Sequence, residues 1–256
     1  MAEEKVKGNP LKEAQSVMTT MMISIHNLCN EHQIPYWLVD GSLLGSVRHE
    51  GFIPWDDDID LGMLRKDFNK FKKVIKDGLP KEYKIETHEL NTHGKHNWLK
   101  IMYLDDFEWV DTNGDHHKGL SIDIFPFDYV RGKNQISLAG KFFHRISRLN
   151  YPAKVTSPKD ALVRVINKAS LQNLYLPFNK KTTTITYGVE THFYGFAYFD
   201  ISEIFPLKTG PFEGHMFNIP HNPDYWLKTV YGDYMKIPDE QDRQIHMMSL
   251  QFSENN

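Results

Sequence analysis

The chain has 256 residues and a mass of 30.0 kDa, with 40% hydrophobic and 25% charged residues and a formal net charge of −3 at pH 7. This composition predicts a folded protein built from one large domain or a domain with an insertion, and it excludes a mainly disordered chain. The weakly acidic balance argues against nucleic acid as a partner. One cysteine, Cys29, cannot form an internal disulfide. Because the sequence shows neither a signal peptide nor an apolar run long enough to span a membrane, we expect a soluble, cytoplasmic protein.

Hydrophobic periodicity predicts alternating helices and strands along the first half of the chain. Asn9 and Pro10 mark the start of the first helix, and Gly51 and Gly78 mark the ends of the second and third. A turn over 111–115 joins two later strands. In chain order we predict a helix over 10–32, a strand over 36–40, a helix over 43–49, a strand over 58–63, a helix over 65–77, and strands over 83–88, 98–104, 107–110 and 120–125.

Beyond residue 131 the pattern becomes helical, with helices predicted over 132–149 and 158–174. We therefore predict an α+β fold in three parts: a core over 1–131, a helical insertion over 132–190, and a segment over 191–256 that completes the core. Within the insertion, residues 141–148 combine basic and aromatic side chains at helical spacing. This pattern fits a helix that contacts an anionic membrane surface, and it also fits a solvated helix face.

Four carboxylates crowd into five positions, at Asp56, Asp57, Asp58 and Asp60. Such a density of like charge is costly unless a cation neutralises it. Apolar residues alternate with Asp58 and Asp60, so a strand would aim both carboxylates at one face, about 6–7 Å apart along the chain. Mg²⁺ and Mn²⁺ prefer such oxygen ligands. Asp123, a lone acid in an apolar strand, is the predicted third ligand, while Asp56 and Asp57 are predicted to shape the site.

Other structures can also accommodate a run of acids. A solvated acidic loop is disfavoured by the neighbouring Trp55 and Ile59. A calcium loop is disfavoured because Leu61 stands where that loop requires glycine, and Asp67 stands where it requires glutamate. Asp123 by itself is also compatible with a buried carboxylate that backbone amides satisfy.

The pair Gly41-Ser42 lies between a predicted strand and a predicted helix, where backbone amides and a hydroxyl can hold a phosphate. A glycine and a serine at a helix start, followed by Asp-x-Asp on the next strand and a third acid on a later strand, resemble the signature of the nucleotidyltransferase-fold superfamily. The segment LLGSVRHEGFIPWDDDID over 43–60 further resembles the hallmark of the LicD family, which includes the fukutin-related proteins.

Two later segments, IDIFPFD over 122–128 and YGDYMKIP over 231–238, are similar to further blocks of this family, as are Arg243 and His246. The resemblance implies a nucleotidyltransferase-like mixed sheet flanked by helices, with the catalytic core in 1–131 and a substrate site that 191–256 completes. It implies a catalytic set that also binds Mg²⁺ or Mn²⁺, namely Asp58, Asp60 and Asp123. It further implies a donor site that we assign to Gly41, Ser42, Arg48, Lys100, Tyr231, Asp233 and Arg243, whose cations would offset the pyrophosphate.

The family's chemistry implies transfer of a phospho-alcohol, with phosphocholine favoured, from a CDP-activated donor to a hydroxyl of a cell-surface or lipid-linked glycan, with release of CMP. CDP-choline is the favoured donor, and CDP-ribitol serves animal relatives. Lipopolysaccharide, teichoic acid and capsule polysaccharide are acceptors of the expected kind. The zinc-binding cysteines of some animal relatives have no counterpart here. Aromatic residues that could recognise a choline group are Trp37, Trp55, Trp98, Trp109, Tyr231 and Tyr234.

Two other functions use the same residues. An ordinary nucleotidyltransferase would transfer NMP from an NTP to a small-molecule, glycan or protein acceptor. A nucleotide- or metal-binding module without activity is the non-enzymatic alternative. No obligate protein partner is evident from the sequence, and a peripheral contact with the inner face of the cytoplasmic membrane is expected only from residues 141–148.

Overall fold

A computed structural model describes residues 9–86, 98–130, 157, 158, 161, 182–191, 193–243, 247 and 249–252. The helices in this part of the chain are α1 (Pro10–Glu31), α2 (Asp40–His49), α3 (Arg65–Gly78), α4 (Ile201–Ile204) and α5 (Pro223–Tyr231). The strands are β1 (Trp37–Leu38), β2 (Ile59–Leu64), β3 (Tyr83–Glu86), β4 (Leu99–Val110), β5 (His116–Val130), β6 (Thr184–Tyr187), β7 (Phe199–Asp200), β8 (Lys208–Phe212), β9 (His215–Ile219) and β10 (Gln251–Phe252).

The long strand β5 organises the main sheet. It pairs in parallel with β2 and antiparallel with β4 and β6, while β1, β3, β7 and β10 extend the sheet outward. Residues 122–128 of β5 are all buried, as expected of a strand covered on both faces. Helices together with a mixed sheet confirm the predicted α+β class.

Helix α1 forms as its periodicity predicts. The Asn9 side chain caps it by accepting from the Leu11 N–H at 3.0 Å, and Pro10 occupies its first turn. Its apolar stripe is buried and includes Ala14, Met18, Met21, Met22 and Ile25. The stripe packs towards β5 and α3. The methionines are therefore core residues, which unbranched side chains suit because they fill irregular space.

Several boundaries differ from those predicted. Gly41 and Ser42 are not a turn before a helix but belong to the first turn of α2. That helix ends at Glu50 in the left-handed region, at φ 56°, rather than at Gly51. The two strands predicted over 98–104 and 107–110 form the single strand β4, with an irregular register between Tyr103 and Glu108.

The segment predicted as a helical insertion lies mostly outside the described residues. The helices predicted over 132–149 and 158–174 lie there too, apart from residues 158 and 161. Within the range 132–190, the end of the segment belongs to the sheet, because β6 pairs with residues 127–130 of β5.

A buried ion cluster ties β6 to the sheet. The guanidinium of Arg65 donates to both oxygens of Asp128 at 2.8 Å and to both oxygens of Glu190 at 2.5 Å. Arg65 and Asp128 are at most 3% exposed. Because bidentate pairs fix geometry as well as charge, the cluster sets the position of the turn that follows β6.

The C-terminal hairpin of β8 and β9 packs against α2. Ser46 Oγ donates to the Pro211 carbonyl at 2.8 Å, and the Glu213 N–H donates to the Glu50 carbonyl at 2.9 Å. Helix α5 contributes Trp226, which stacks on Phe199 with ring centroids 3.7 Å apart. The chain beyond residue 191 thus contributes directly to the core around α2.

Candidate active site

Strand pairing brings the predicted catalytic acids to one place. In the parallel register of β2 and β5, Asp60 lies opposite Asp123, and neighbouring strands are about 4.8 Å apart. Asp58 directly precedes β2. Burial raises the pKa of Asp60 well above its ordinary value, and the charges of Asp58, Asp40, Asp123 and Asp56 raise it further. The charges of four other carboxylates therefore act on Asp60.

This concentration of negative charge fits a divalent cation. Among the described residues, one group of three carboxylates brings oxygens within 4.8 Å of one another, and it consists of Asp56, Asp57 and Asp58. Asp57 is 2% exposed, and its Oδ2 accepts from the Met247 N–H at 2.6 Å, so it also holds the C-terminal segment. Hard oxygen ligands of this kind suit Mg²⁺ or Mn²⁺. The set of Asp58, Asp60 and Asp123 as ligands remains a prediction.

Asp123 has partners that the sequence did not reveal. Lys100 lies opposite it in the register of β4 and β5, and its Nζ donates to the two Asp123 oxygens at 2.6 and 2.8 Å. Trp98 Nε1 donates to Oδ2 at 2.6 Å. The charge of Asp123 is thus met by an ammonium and an indole rather than by backbone amides. Because Lys100 pairs with a predicted metal ligand, Lys100 lies within the predicted catalytic centre.

The first turn of α2 adjoins the acids. Ser42 is 2% exposed, and its Oγ accepts from the Asp60 N–H at 2.8 Å, which leaves the hydroxyl hydrogen available to donate. A Cβ at Gly41 would lie 3.0 Å from Asp56 Oδ2, so glycine lets that carboxylate approach the helix closely. These two residues couple the helix terminus, where backbone N–H groups are free, to the acidic cluster.

Asp40 is a residue of the site that sequence reasoning missed. It begins α2 with a φ of 46°, a strained conformation for a non-glycine residue. The hydroxyl of Tyr187 lies 2.5 and 2.6 Å from its two oxygens. Burial raises the pKa of Asp40 to about 6, against the opposing hydrogen bond from Tyr187. Its place directly before Gly41 was a sequence indication, whereas Tyr187, 147 positions away, gave none.

The predicted donor residues Tyr231 and Asp233 differ in their surroundings. Tyr231 is 44% exposed, and burial of its hydroxyl together with the charges of Asp40, Asp60, Asp56 and Asp58 raises its pKa, which places it beside the acids. Asp233 is exposed, and its carbonyl accepts from the Lys236 N–H at 3.2 Å.

The two predicted arginines reach the same region from opposite ends of the chain. Arg48 donates from Nη1 to the Tyr234 carbonyl at 2.8 Å, so it holds the segment that carries Tyr231. The guanidinium carbon of Arg243 lies 4.2 Å from the ring centroid of Trp55, just before the acidic cluster. Its buried Nε has no hydrogen-bond partner among the described residues. His246 lies outside them.

The aromatic residues that could recognise a choline group differ in burial and in their contacts. Trp37 is fully buried in the core, and Trp98 is occupied by Asp123. Trp109 stacks on His117 at 4.2 Å between ring centroids. Tyr231 and Trp55 are the candidates beside the carboxylates that retain exposed surface.

These features are those of a nucleotidyltransferase-type catalytic domain, with carboxylates on adjacent strands and a glycine and serine at the start of a neighbouring helix. Comparison with known proteins agrees. The family described as LicD/FKTN/FKRP, nucleotidyltransferase domain, matches residues 33–164. The chain belongs to this family, and it is a phosphotransferase of the LicD type.

The chain is also similar to individual proteins of known name. The chain is 27% identical over 258 residues to the lipopolysaccharide cholinephosphotransferase LicD of Haemophilus influenzae, covering 94% of this chain and 97% of that protein. It is 56% identical over 94 residues to the ribitol 5-phosphate transferase FKRP of Mus musculus and of Homo sapiens, covering 37% of this chain and 17% of each relative. No described helix combines the length and apolar character needed to cross a membrane.

Proposed function

We propose that this protein transfers a phospho-alcohol, phosphocholine in the first instance, from a CDP-activated donor to a hydroxyl of a cell-surface glycan and releases CMP. The observation that carries the proposal is the pairing of Asp60 with Asp123 on adjacent parallel strands, beside Asp58 and the first turn of α2. Similarity to a lipopolysaccharide cholinephosphotransferase over nearly the whole length of both chains supports the choice of phosphocholine.

The carboxylates have the composition to hold Mg²⁺ or Mn²⁺. In this proposal Asp58, Asp60 and Asp123 would hold the ion, which when bound supplies positive charge to the donor phosphates. Burial raises the pKa of Asp60 and the neighbouring carboxylates raise it further, and a bound ion would relieve the part that arises from those charges. The chain's own side chains would bind the donor and accept the proton of the acceptor hydroxyl.

Donor binding would use the groups that adjoin the acids. The free hydrogen of Ser42 Oγ and the first-turn amides of α2 would donate to phosphate oxygens. Arg243, whose Nε has no partner in the described part of the chain and whose guanidinium lies over Trp55, would add positive charge, as would Lys100. Tyr231 would contact the alcohol or the phosphate, because it lies beside the acids and retains exposed surface.

The transfer forms one bond and breaks another. The acceptor oxygen attacks the phosphorus that carries the alcohol, and the bond from that phosphorus to the bridging oxygen breaks, so CMP departs with the bridging oxygen. The hydroxyl proton passes to a carboxylate, for which Asp123 is the assigned acceptor. Lys100, within 2.8 Å of both Asp123 oxygens, would position that carboxylate.

The proposed function also includes the acceptor and the cellular location. The acceptor is a glycan or lipid-linked glycan, and the enzyme acts in the cytoplasm with a peripheral contact at the inner face of the membrane. Nucleic acid has no part in it, in keeping with the net charge of −3. The core over 1–131, the helical insertion over 132–190 and the completing segment over 191–256 remain the predicted division of the chain.

One experiment tests the proposal against its alternatives. The purified protein is incubated with Mg²⁺ and either CDP-choline, CDP-ribitol or each NTP, with and without a bacterial lipopolysaccharide acceptor. We expect glycan-dependent CMP release from CDP-choline and a product mass that shows added phosphocholine. A product carrying a nucleotide would instead establish an ordinary nucleotidyltransferase, and metal-dependent CDP-choline binding without turnover would establish a binding module.

A further inference from the structure

A polar groove with a volume of about 300 Å³ lies between α1 and the turn of the β8–β9 hairpin. None of the residues assigned to the donor or the metal lines it. Its size is at the lower end of the range typical of small-ligand sites, about 300–1,000 Å³. Its lining residues are Lys12, Gln15, Ser16, Thr19, Thr20 and Ile23 from α1, and Glu213 and His215 from the hairpin.

Gln15 offers an unused acceptor at this groove. The residue is 3% exposed, and its Nε2 donates to the Asp56 carbonyl at 2.9 Å. Because a carbonyl can only accept, the amide must present nitrogen to Asp56, which fixes the orientation of Oε1. That oxygen is buried and has no hydrogen-bond partner among the described residues. A buried acceptor of this kind needs a donor from a ligand or from water.

The neighbouring groups are also acceptors. The hydroxyls of Thr19 and Thr20 donate to the Gln15 and Ser16 carbonyls at 2.8 and 3.2 Å, so towards a ligand these hydroxyls can act only as acceptors. Glu213 accepts one N–H, from Phe52 at 3.0 Å, and a carboxylate can accept several. Lys12 and the Ser16 hydroxyl add donors, so the groove suits a ligand whose hydroxyl groups can both donate and accept.

Charge and shape narrow the ligand class. Lys12 and Glu213 carry opposite charges, so the groove has no marked preference for a cation or an anion. No Trp, Tyr or Phe appears in its described lining, whereas recognition of a quaternary ammonium group uses aromatic faces. Ile23 adds one apolar contact of the kind that the C–H face of a sugar makes.

Both walls of the groove are hydrogen-bonded to the segment that leads into the acidic cluster. Gln15 contacts the backbone of Asp56, and Glu213 contacts the backbone of Phe52. Asp56 in turn approaches Gly41 and contributes to the raised pKa of Asp60. Asp56 is therefore in contact with a wall of the groove on one side and with the catalytic centre on the other.

We propose that this groove is a subsite for a sugar unit of the acceptor glycan, distinct from the sugar whose hydroxyl reacts. The inference rests on the proposed function for its assignment to the acceptor, but the binding of a sugar does not depend on turnover. It implies that acceptors longer than one sugar bind more tightly than a single sugar.

Binding is measured by NMR on protein labelled at the isoleucine δ1 methyl groups. Glucose, galactose, N-acetylglucosamine and ribitol serve as probes at millimolar concentration. We expect at least one of them to shift the Ile23 signal saturably and to leave that of Ile122, buried in β5, in place. Failure of all four to move the Ile23 signal would overturn the proposal.

Two variants and a control test the site of binding. The double variant Lys12→Ala/Ser16→Ala should raise Kd by about tenfold, the effect of losing one or two hydrogen bonds. Thr20→Trp should abolish the shift by filling the groove, while Asn27→Ala, exposed on α1 outside the groove, should not alter it. Unchanged affinity in Thr20→Trp would place the sugar elsewhere.

Kinetics then separate this inference from the proposed function. With an oligosaccharide acceptor, Thr20→Trp should raise the acceptor KM at least about fivefold and leave kcat unchanged. With a monosaccharide acceptor, its KM should not change. An unchanged oligosaccharide KM would overturn the acceptor subsite even if turnover is normal. Absence of transfer from every CDP-alcohol would overturn the proposed function, while the Ile23 shifts would still establish a sugar-binding groove.

Discussion

Replacement of Lys100 by methionine should destabilise the protein when divalent cations are absent and should do so much less when they are present. Lys100 Nζ lies 2.6 and 2.8 Å from the two oxygens of Asp123, and the side chains are 16% and 11% exposed. Removal of one partner of a buried pair costs about 3–5 kcal/mol because the other charge is left uncompensated. Trp98 still donates to Asp123, so we expect a loss of about 2–3 kcal/mol.

The assay is urea unfolding of the wild type and the variant in EDTA and in Mg²⁺. A cation held by Asp58, Asp60 and Asp123 would replace the missing ammonium, so Mg²⁺ should stabilise Lys100→Met more than the wild type. Lys118→Met is the matched control, because Lys118 pairs with Glu108 at 2.7 Å but is 74% exposed. Exposed pairs contribute about 0–1 kcal/mol, so this control should change little in either buffer.

Two results would refute the reasoning. If Lys100→Met loses the same stability in EDTA and in Mg²⁺, no cation replaces the ammonium at Asp123. If it loses no more than Lys118→Met, the pair is not a buried one in solution.

Three further substitutions test other parts of the site and the fold. Asp58→Asn should fold and release no CMP, whereas Asp77→Asn, at an exposed position of α3, should release it normally; turnover by Asp58→Asn would remove that residue from the mechanism. Burial raises the pKa of Asp40 to about 6 from 3.8, so its contribution to stability is present at low pH and is lost as the pH rises from about 4 to about 6, because the folded state retains the proton longer. In EDTA, the difference between wild type and Asp40→Asn should therefore change by up to about 3 kcal/mol across this window, and parallel stability curves would contradict the burial of that carboxyl. Arg65→Met should cost about 3–5 kcal/mol in urea unfolding because two carboxylates lose their shared partner in the interior; a loss below about 1 kcal/mol would show that these carboxylates are solvated or protonated.

Local sequence patterns predicted much of the fold. The stripe of α1, its Asn9 cap and the alternation through Asp58 and Asp60 depend on residues a few positions apart, and each element forms close to where its pattern predicts. The same local spacing indicated that the acids adjoin a glycine and a serine at a helix start. The ends of the elements were predicted less accurately. Gly41 and Ser42 belong to α2, because a helix can begin one turn earlier without changing its apolar spacing.

By itself, then, the sequence determined the α+β class, the first helix and the acidic cluster with its neighbouring glycine and serine. The partners of those acids were decided only by the tertiary structure. Lys100 meets Asp123 because β4 and β5 are antiparallel in one register, and Tyr187 meets Asp40 across 147 positions because β6 returns to the sheet. The groove beside Gln15 arises where α1 and a hairpin some 200 positions later lie side by side. Strand register and packing between distant segments set these contacts, and neither leaves a period in the local sequence.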